Sequence, residues 1–260
     1  MQTGERTMRA VRSRTPEGPK GLTLERIDVP DLAERVRVGD AVFALTPFDR
    51  DGVAAEFAAV PATVLAQKPQ VVDHVQAAAV PMASLTAWQG LFVHGRLESG
   101  QRVIVHGAAG GVGHQAVQLA VQRAAYVIGT TSSSAGADMV RSMGANEVID
   151  SAAILERGID PVELVFDTVG GEVLARSSQL LRQGGRIVTI ADEPPGGVDA
   201  TYFVVEPDGE QLARVGDLVN DGALHPAIDS VFPLEDFRAA FERTMASGKR
   251  GKVVLRVTDD

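Results

Sequence analysis

The residues best suited to chemistry lie in one run, VIVHGAAGGVGHQAVQLA, Val103 to Ala120. An apolar strand ends at His106, a turn of small residues follows, and Val112, Ala116, Leu119 and Ala120 then recur at helical spacing. Set against the pattern G-x-G-x-x-G, the three positions are Ala108, Gly110 and Gly113, so alanine stands first. Gly110 would let the backbone approach a pyrophosphate, and Gly113 would let the helix pack close to the strand. The amides at the helix start, roughly Gly111 and Val112, would turn their partial positive charge toward phosphate oxygens, and Ala109 and Gly110 before them are counted with the cofactor-binding residues. A strand before the turn and a helix after it are the context that favours a dinucleotide over a ligand-free turn.

The next strand, about Ala125 to Gly129, bears on which dinucleotide. It runs out into Thr130-Thr131-Ser132-Ser133-Ser134, and no acid occurs before Asp138. An NAD site usually sets a carboxylate there on the ribose hydroxyls. Without that charge a 2′-phosphate is admitted, and the hydroxyls of Thr130, Thr131, Ser132 and Ser133 can bond it, so NADPH is favoured over NAD. A phosphate also wants a cation, and the first one is Arg141.

The elements that must position this loop change character along the chain. Up to about residue 80, short strands at Met8–Val11, Leu22–Val29, Ala41–Leu45 and Val53–Val60 alternate with Pro/Gly turns. Beyond Val80, strands at Arg102–His106, Ala125–Gly129, Glu147–Ile149, Glu163–Asp167 and Arg186–Ile190 alternate with helices near Met82–Phe92, Gly111–Arg123, Ala135–Met143 and Gly171–Leu181. That alternation predicts an α/β fold with a doubly wound parallel sheet. The end of the chain predicts helices near Gly209–Asn220 and Leu234–Ser247 and a closing strand at Lys252–Val257.

Composition sets limits. The 260 residues carry a net charge of -9 with 45% hydrophobic residues, which disfavours a nucleic-acid partner. No apolar run is long enough for a membrane helix. The N-terminal MQTGERTMRAVRSR lacks the apolar core of a signal peptide, so a cytoplasmic location is expected. Cysteine is absent, and His74, His94, His106, His114 and His225 show no metal-ligand spacing, so no metal is expected.

With these residues in hand, nearly the whole chain resembles the zinc-independent, quinone oxidoreductase-like branch of the medium-chain dehydrogenase/reductase superfamily. The matching segments are MRAVRSRTPEGPKGLTLERIDVP, VGDAVFAL, GVAAEFAAVPATVLAQKP, VPMASLTAWQGLF, the glycine loop, MGANEVID, VFDTVGG, GGRIVTI and SGKRGKVVLRV. The resemblance implies a Rossmann domain over residues 82–204, inserted in a truncated GroES-like β domain of residues 1–81 and 205–260. It implies NADPH as cofactor, a small-molecule substrate that is a quinone or an α,β-unsaturated carbonyl, and a homodimer paired near Tyr202 to Val205. It places Gly110, Gly111 and Val112 on the pyrophosphate and Thr86 in the cleft. Thr130 to Ser133 fall at the 2′-phosphate, Thr168 and Val169 on the adenosine side, and Ile190, Ala191, Phe203 and Val204 beside the nicotinamide. Simple core packing would account equally well for Val169, Ile190 and Phe203. Thr86, Tyr202 and Asp192 are polar groups near the cleft, but no catalytic acid or base is assigned.

Three departures stand against that pattern. The family's basic residue after the Thr/Ser turn falls at Ala135 or Gly136. Its frequent tyrosine after the third strand falls at Ser151. Between the "IDVP" strand and the strand that follows the Gly39-Asp40 turn, only the short charged bridge Asp31 to Arg37 stands where the family has roughly fifty more residues, including polar groups that flank the nicotinamide. A non-redox descendant, either a cyclase, isomerase or dehydratase or a ligand-binding protein, therefore stands beside the reductase as the second expectation.

Overall fold

The computed structural model describes residues 7–13, 22–28, 39–49, 53–194 and 196–258. The bridge Asp31 to Arg37 lies outside the described residues.

β1 (Thr7–Ser13) and β2 (Leu22–Asp28) form an antiparallel pair. β3 (Val42–Ala44) pairs antiparallel with β4 (Leu65–Gln67), a strand the sequence pattern did not signal. The strand expected over Val53–Val60 is not formed. Only Ala55 bridges to Ala10, with Val11 N donating to Ala54 O and Glu56 N to Arg9 O. Arg9 fixes this contact through its side chain, which bonds Glu56 and Glu235. No described segment extends the ladder further, and Phe57 stays exposed.

α1 (His74–Ala78) starts on a capping box between Asp73 and Gln76. α2 (Pro81–Trp88) begins with proline in its first turn and continues as a π-helical stretch, Gln89–His94. The single α-helix expected over Met82–Phe92 is thus two geometries. Gly90 packs on the Phe166 ring so closely that a Cβ there would lie 2.4 Å from it.

The sheet forms from β5 (Arg102–His106), β6 (Tyr126–Thr131), β7 (Glu147–Asp150), β8 (Val162–Asp167), β9 (Leu181–Thr189) and β10 (Ala200–Tyr202). Its order is β10-β9-β8-β5-β6-β7, and every pair is parallel. α3 (Gly113–Gln122), α4 (Ser134–Ser142) and α5 (Gly171–Arg176) make the crossovers. β5 is buried on both faces, as a central parallel strand must be. Val103 and Val105 join Ala116, Leu119 and Ala120 of α3 on one face. Ile104 joins Ile128, Ile149, Val165 and Ile187 on the other. Each such fully buried side chain contributes about 1.5–3 kcal/mol of transfer free energy.

α6 (Gly209–Asn220) follows, capped by Asp208, and then β11 (Ile228–Pro233), α7 (Phe237–Met245) and β12 (Lys252–Arg256). β11 pairs parallel with β12. Leu234 and Phe237 pack on Val11 of β1, so the end of the chain closes against its beginning. One apolar cluster runs from Phe43 and Ala66 through Leu212 and Val215 of α6 to Leu85 and the sheet.

Candidate dinucleotide site

Sheet order decides where a ligand can sit. From β5 the chain goes to β6 on one side, and β8 later pairs on the other side of β5. The crevice between the loops leaving β5 and β8 is therefore the topological switch point, where open parallel sheets bind ligands. The two loops touch. Thr168 Oγ1 donates to His106 O at 2.8 Å. A Cβ on Gly107 would meet Thr168 Oγ1 at 2.6 Å and Val169 at 2.9 Å, and Gly107 has φ of 69°.

Residues 107–112 form a tight cradle. Gly110 N donates to Gly107 O. A Cβ on Gly113 would come 2.2 Å from the same oxygen, so this position needs glycine for close helix–strand packing. At Gly110 the same contact would be 3.1 Å, which leaves the adjacent space open for a ligand. Gly110, Gly111 and Val112 are partly exposed and Ala109 is buried. No side chain caps α3, so its first amides carry the helix's partial positive charge outward.

The structure adds a cation that sequence spacing did not reveal. Lys252, the first residue of β12, lays its stem across Gly111, where a Cβ would sit 3.1 Å from its Cδ and 3.8 Å from its Nζ. Gly251 N donates to Ala109 O at 3.2 Å and anchors the segment. Lys252 has no ion-pair partner among the described residues. Its pKa is lowered by burial and by repulsion from Lys249. No local signal could have found it, because the contact joins the mid-chain glycine loop to a strand far along the sequence.

The hydroxyl turn divides. Thr130 is fully buried, and its Oγ1 lies 3.0 Å from His106 Nδ1, with His106 Nε2 3.1 Å from Ser177 Oγ. Ser177 donates to Val173 O, so it accepts from Nε2–H, and Thr130 donates to Nδ1. This neutral imidazole, with its pKa lowered to about 4 by burial, occupies the hydroxyl of Thr130. Strand β6 extends two residues beyond the predicted end and draws Thr130, expected beside the 2′-phosphate, into the sheet. Thr131, Ser132 and Ser133 remain at the surface side. Ser133 Oγ accepts from Gly136 N and caps α4. Gly136 is wedged in place, since a Cβ would stand 2.5 Å from Thr131 Oγ1 and 3.2 Å from Ala109. A larger side chain cannot occupy that position without displacing the glycine loop. Arg141 pairs with Asp138 near the far end of α4, about 10 Å along the axis from Ser134.

Asp167 ends β8. Its buried carboxylate accepts from Thr189 Oγ1 at 2.9 Å and Gly170 N at 3.0 Å, and burial raises its pKa. It shapes the loop that presents Thr168 and Val169. Ala191 approaches that loop, 3.1 Å from a Cβ placed on Gly170, and Ile190 N donates to Asp167 O. Asp192 accepts from Gly171 N at 2.7 Å. The expected residues Ala109 to Val112, Thr131, Ser133, Thr168, Val169, Ile190 and Ala191 thus converge. Thr86, Phe203 and Val204 are engaged differently. Thr86 Oγ1 donates to Met82 O at 2.6 Å within α2, Phe203 is buried against His94 with ring centroids 4.4 Å apart, and Val204 points outward. Ser151 opens onto a recess of about 220 Å³ beside Leu155, Glu172 and Arg176.

A tight glycine loop at the switch point of a six-stranded parallel sheet is the arrangement of the Rossmann class of folds. Comparison with known proteins carries the assignment to a family. A profile described as zinc-binding dehydrogenase matches residues 143–255. "Probable zinc-binding oxidoreductase, mitochondrial" of Arthroderma benhamiae is 33% identical over 266 residues, covering 90% of this chain and 80% of its own. The NADPH-dependent alkenal/one oxidoreductase of Arabidopsis thaliana chloroplasts is 31% identical over 241 residues, and the chain spans 61% of its length. The quinone oxidoreductase structure from Coxiella burnetii superposes with a TM-score of 0.89 at 25% identity, over 97% of this chain and 100% of that one. The chain belongs to the medium-chain dehydrogenase/reductase superfamily, in its quinone oxidoreductase-like branch. Among the described residues no group of three His, Asp or Glu side chains is placed to hold a metal ion, and no helix is long and apolar enough to cross a membrane.

Proposed function

We propose that this protein is an NADPH-dependent reductase of quinones or α,β-unsaturated carbonyls. The observation that carries the reading is the cradle of residues 107–112 with Lys252 laid across it, because an unpaired ammonium beside open amides matches a pyrophosphate. The relatives named for alkenal/one and quinone reduction support the substrate class. When bound, NADPH supplies the reducing equivalent. The chain's part is to hold the phosphates on Gly110, Gly111, Val112 and Lys252, and to flank the rest with Thr168, Val169, Ile190 and Ala191. NADPH is favoured over NADH because the turn after β6 offers Thr131, Ser132 and Ser133 and no carboxylate. No side chain is assigned as proton donor: Asp192 is held by Gly171 and Tyr202 lies on the sheet edge. That same edge, with Tyr202 and Val204 exposed, is the face we assign to a homodimer. The test is a titration with NADPH and NADH, followed by NADPH consumption with a panel of enones and quinones. Saturable NADPH binding with turnover of at least one class supports the reading. Tight binding with no turnover across the panel moves it to the non-redox alternative.

A further inference from the structure

A line of polar contacts ties α3 to an extended segment far along the chain. His114 Nδ1 lies 2.8 Å from Gly110 O, and Ala227 N donates to His114 Nε2 at 3.1 Å. Because Ala227 supplies the proton of the second bond, Nε2 is the acceptor and the imidazole carries its proton on Nδ1, which donates to Gly110. One turn later, Gln118 Oε1 accepts from His225 N at 2.8 Å and its Nε2 donates to His225 O at 3.1 Å. Residues 114 and 118 share one helix face, and residues 225 and 227 share one face of an extended chain, so the two side chains act as a strand partner for that segment.

Ala227 is held from both sides. Its carbonyl accepts from Lys252 N at 2.9 Å, while Gly251 N donates to Ala109 O at 3.2 Å. A closed circuit results: Ala109 and Gly110 of the glycine loop, the His114 ring, the Ala227 peptide, then Gly251 and Lys252 returning to the loop. Gly251 leaves no slack, since a Cβ there would lie 2.2 Å from Ala227 O.

We propose that His114 is a positioning residue for the cofactor phosphates: through Ala227 it fixes β12 so that the Lys252 ammonium stands over the glycine loop. This rests on the phosphate-binding reading of the loop. Gln118 holds the neighbouring turn independently, so loss of the His114 ring removes one link and leaves the fold in place.

The two bonds can be separated by substitution. In His114→Asn, Nδ2 takes the place of Nδ1 and nothing reaches Ala227. In His114→Gln, Oε1 takes the place of Nε2 and accepts from Ala227. His114→Leu has neither. NADPH dissociation constants are expected to rise about ten-fold in the Leu and Asn variants and to return most of the way in Gln, the cost of misplacing one charge-assisted contact. In a Lys252→Met background, His114→Leu should add less than about two-fold, because the two residues act on one contact. A cofactor-free readout accompanies these: the rate at which acetic anhydride labels Lys252, followed by mass spectrometry, should change in Leu and Asn and not in Gln. If wild-type protein binds no NADPH, the cofactor reading fails, whatever the labelling shows. If wild type binds and the Leu variant binds equally well, or its effect multiplies fully with that of Lys252→Met, the positioning role is overturned while the cofactor reading stands.

Discussion

Gly110 and Gly113 stand three residues apart in one motif, yet they do different work. A methyl at Gly113 meets a backbone carbonyl at 2.2 Å, which cannot yield without moving β5 or α3. Gly113→Ala should therefore lower stability by about 2–4 kcal/mol, read as a shifted denaturant midpoint. A methyl at Gly110 meets the same oxygen at 3.1 Å, which a small shift accommodates. Gly110→Ala should leave the midpoint within about 0.5 kcal/mol and weaken NADPH, since its methyl enters the space a phosphate needs. Lys252→Met should weaken NADPH about ten-fold and flatten the salt dependence of binding. It should not destabilise the apoprotein, because burial works against the unpaired ammonium. Gly110 and Gly113 were legible in the sequence because strand, turn and helix are contiguous there. Lys252 and His114 were not, because their partners lie across the molecule. The burial of Thr130 was not legible, since two further residues of β6 carry its hydroxyl into the sheet.

At the scale of elements, two buried histidines hold the loops at the top of the sheet. His106 joins β5, β6 and the turn after α5, and His114 joins α3 to the segment before β11. Burial lowers both pKa values from about 6.5 to about 4. The unfolded chain takes up these protons as pH falls through 6.5, whereas the native state resists until about 4. Their contribution is thus complete above pH 6.5 and is lost progressively between 6.5 and 4, on the order of several kcal/mol for the pair. Asp167 opposes this in part, because its raised pKa lets the folded state bind a proton earlier than the unfolded chain does. Urea midpoints measured across that pH range should fall on acidification, and His106→Asn should flatten the slope. Asp229, held near pKa 2 by the Arg243 fork and Arg250 N, adds its own loss only at more acid pH, between about 4 and 2. Five strands of the parallel sheet were readable from apolar runs bounded by glycine, whereas β10 was not and β9 starts earlier than the pattern put it. Strands β4 and β11 were not, since short mixed sequences such as IDSVFP become strands only when a distant partner supplies the ladder. Gly90→Ala would test the π-helical stretch: its methyl would press on the fully buried Phe166 ring, at an expected cost of about 1–3 kcal/mol in thermal or urea unfolding.

Across the whole molecule, the described residues form one six-stranded parallel sheet and three two-stranded ones. Alignment with the Arthroderma relative runs over 266 positions while using 90% of this 260-residue chain, so part of that relative has no counterpart here. The sequence placed the shortening at the bridge between β2 and β3. The glycine loop's contacts run to Thr168, to Gly136, through His114 to Ala227, and onto β12. The central claim is that this cradle binds a phosphorylated dinucleotide, and titration of the purified protein with NADPH and NADH, followed by calorimetry, tests it most directly. The account predicts one saturable NADPH site per chain, weaker binding of NADH, and loss of most affinity in Lys252→Met. Absence of heat or saturation with either nucleotide, from protein shown to be folded, would contradict it.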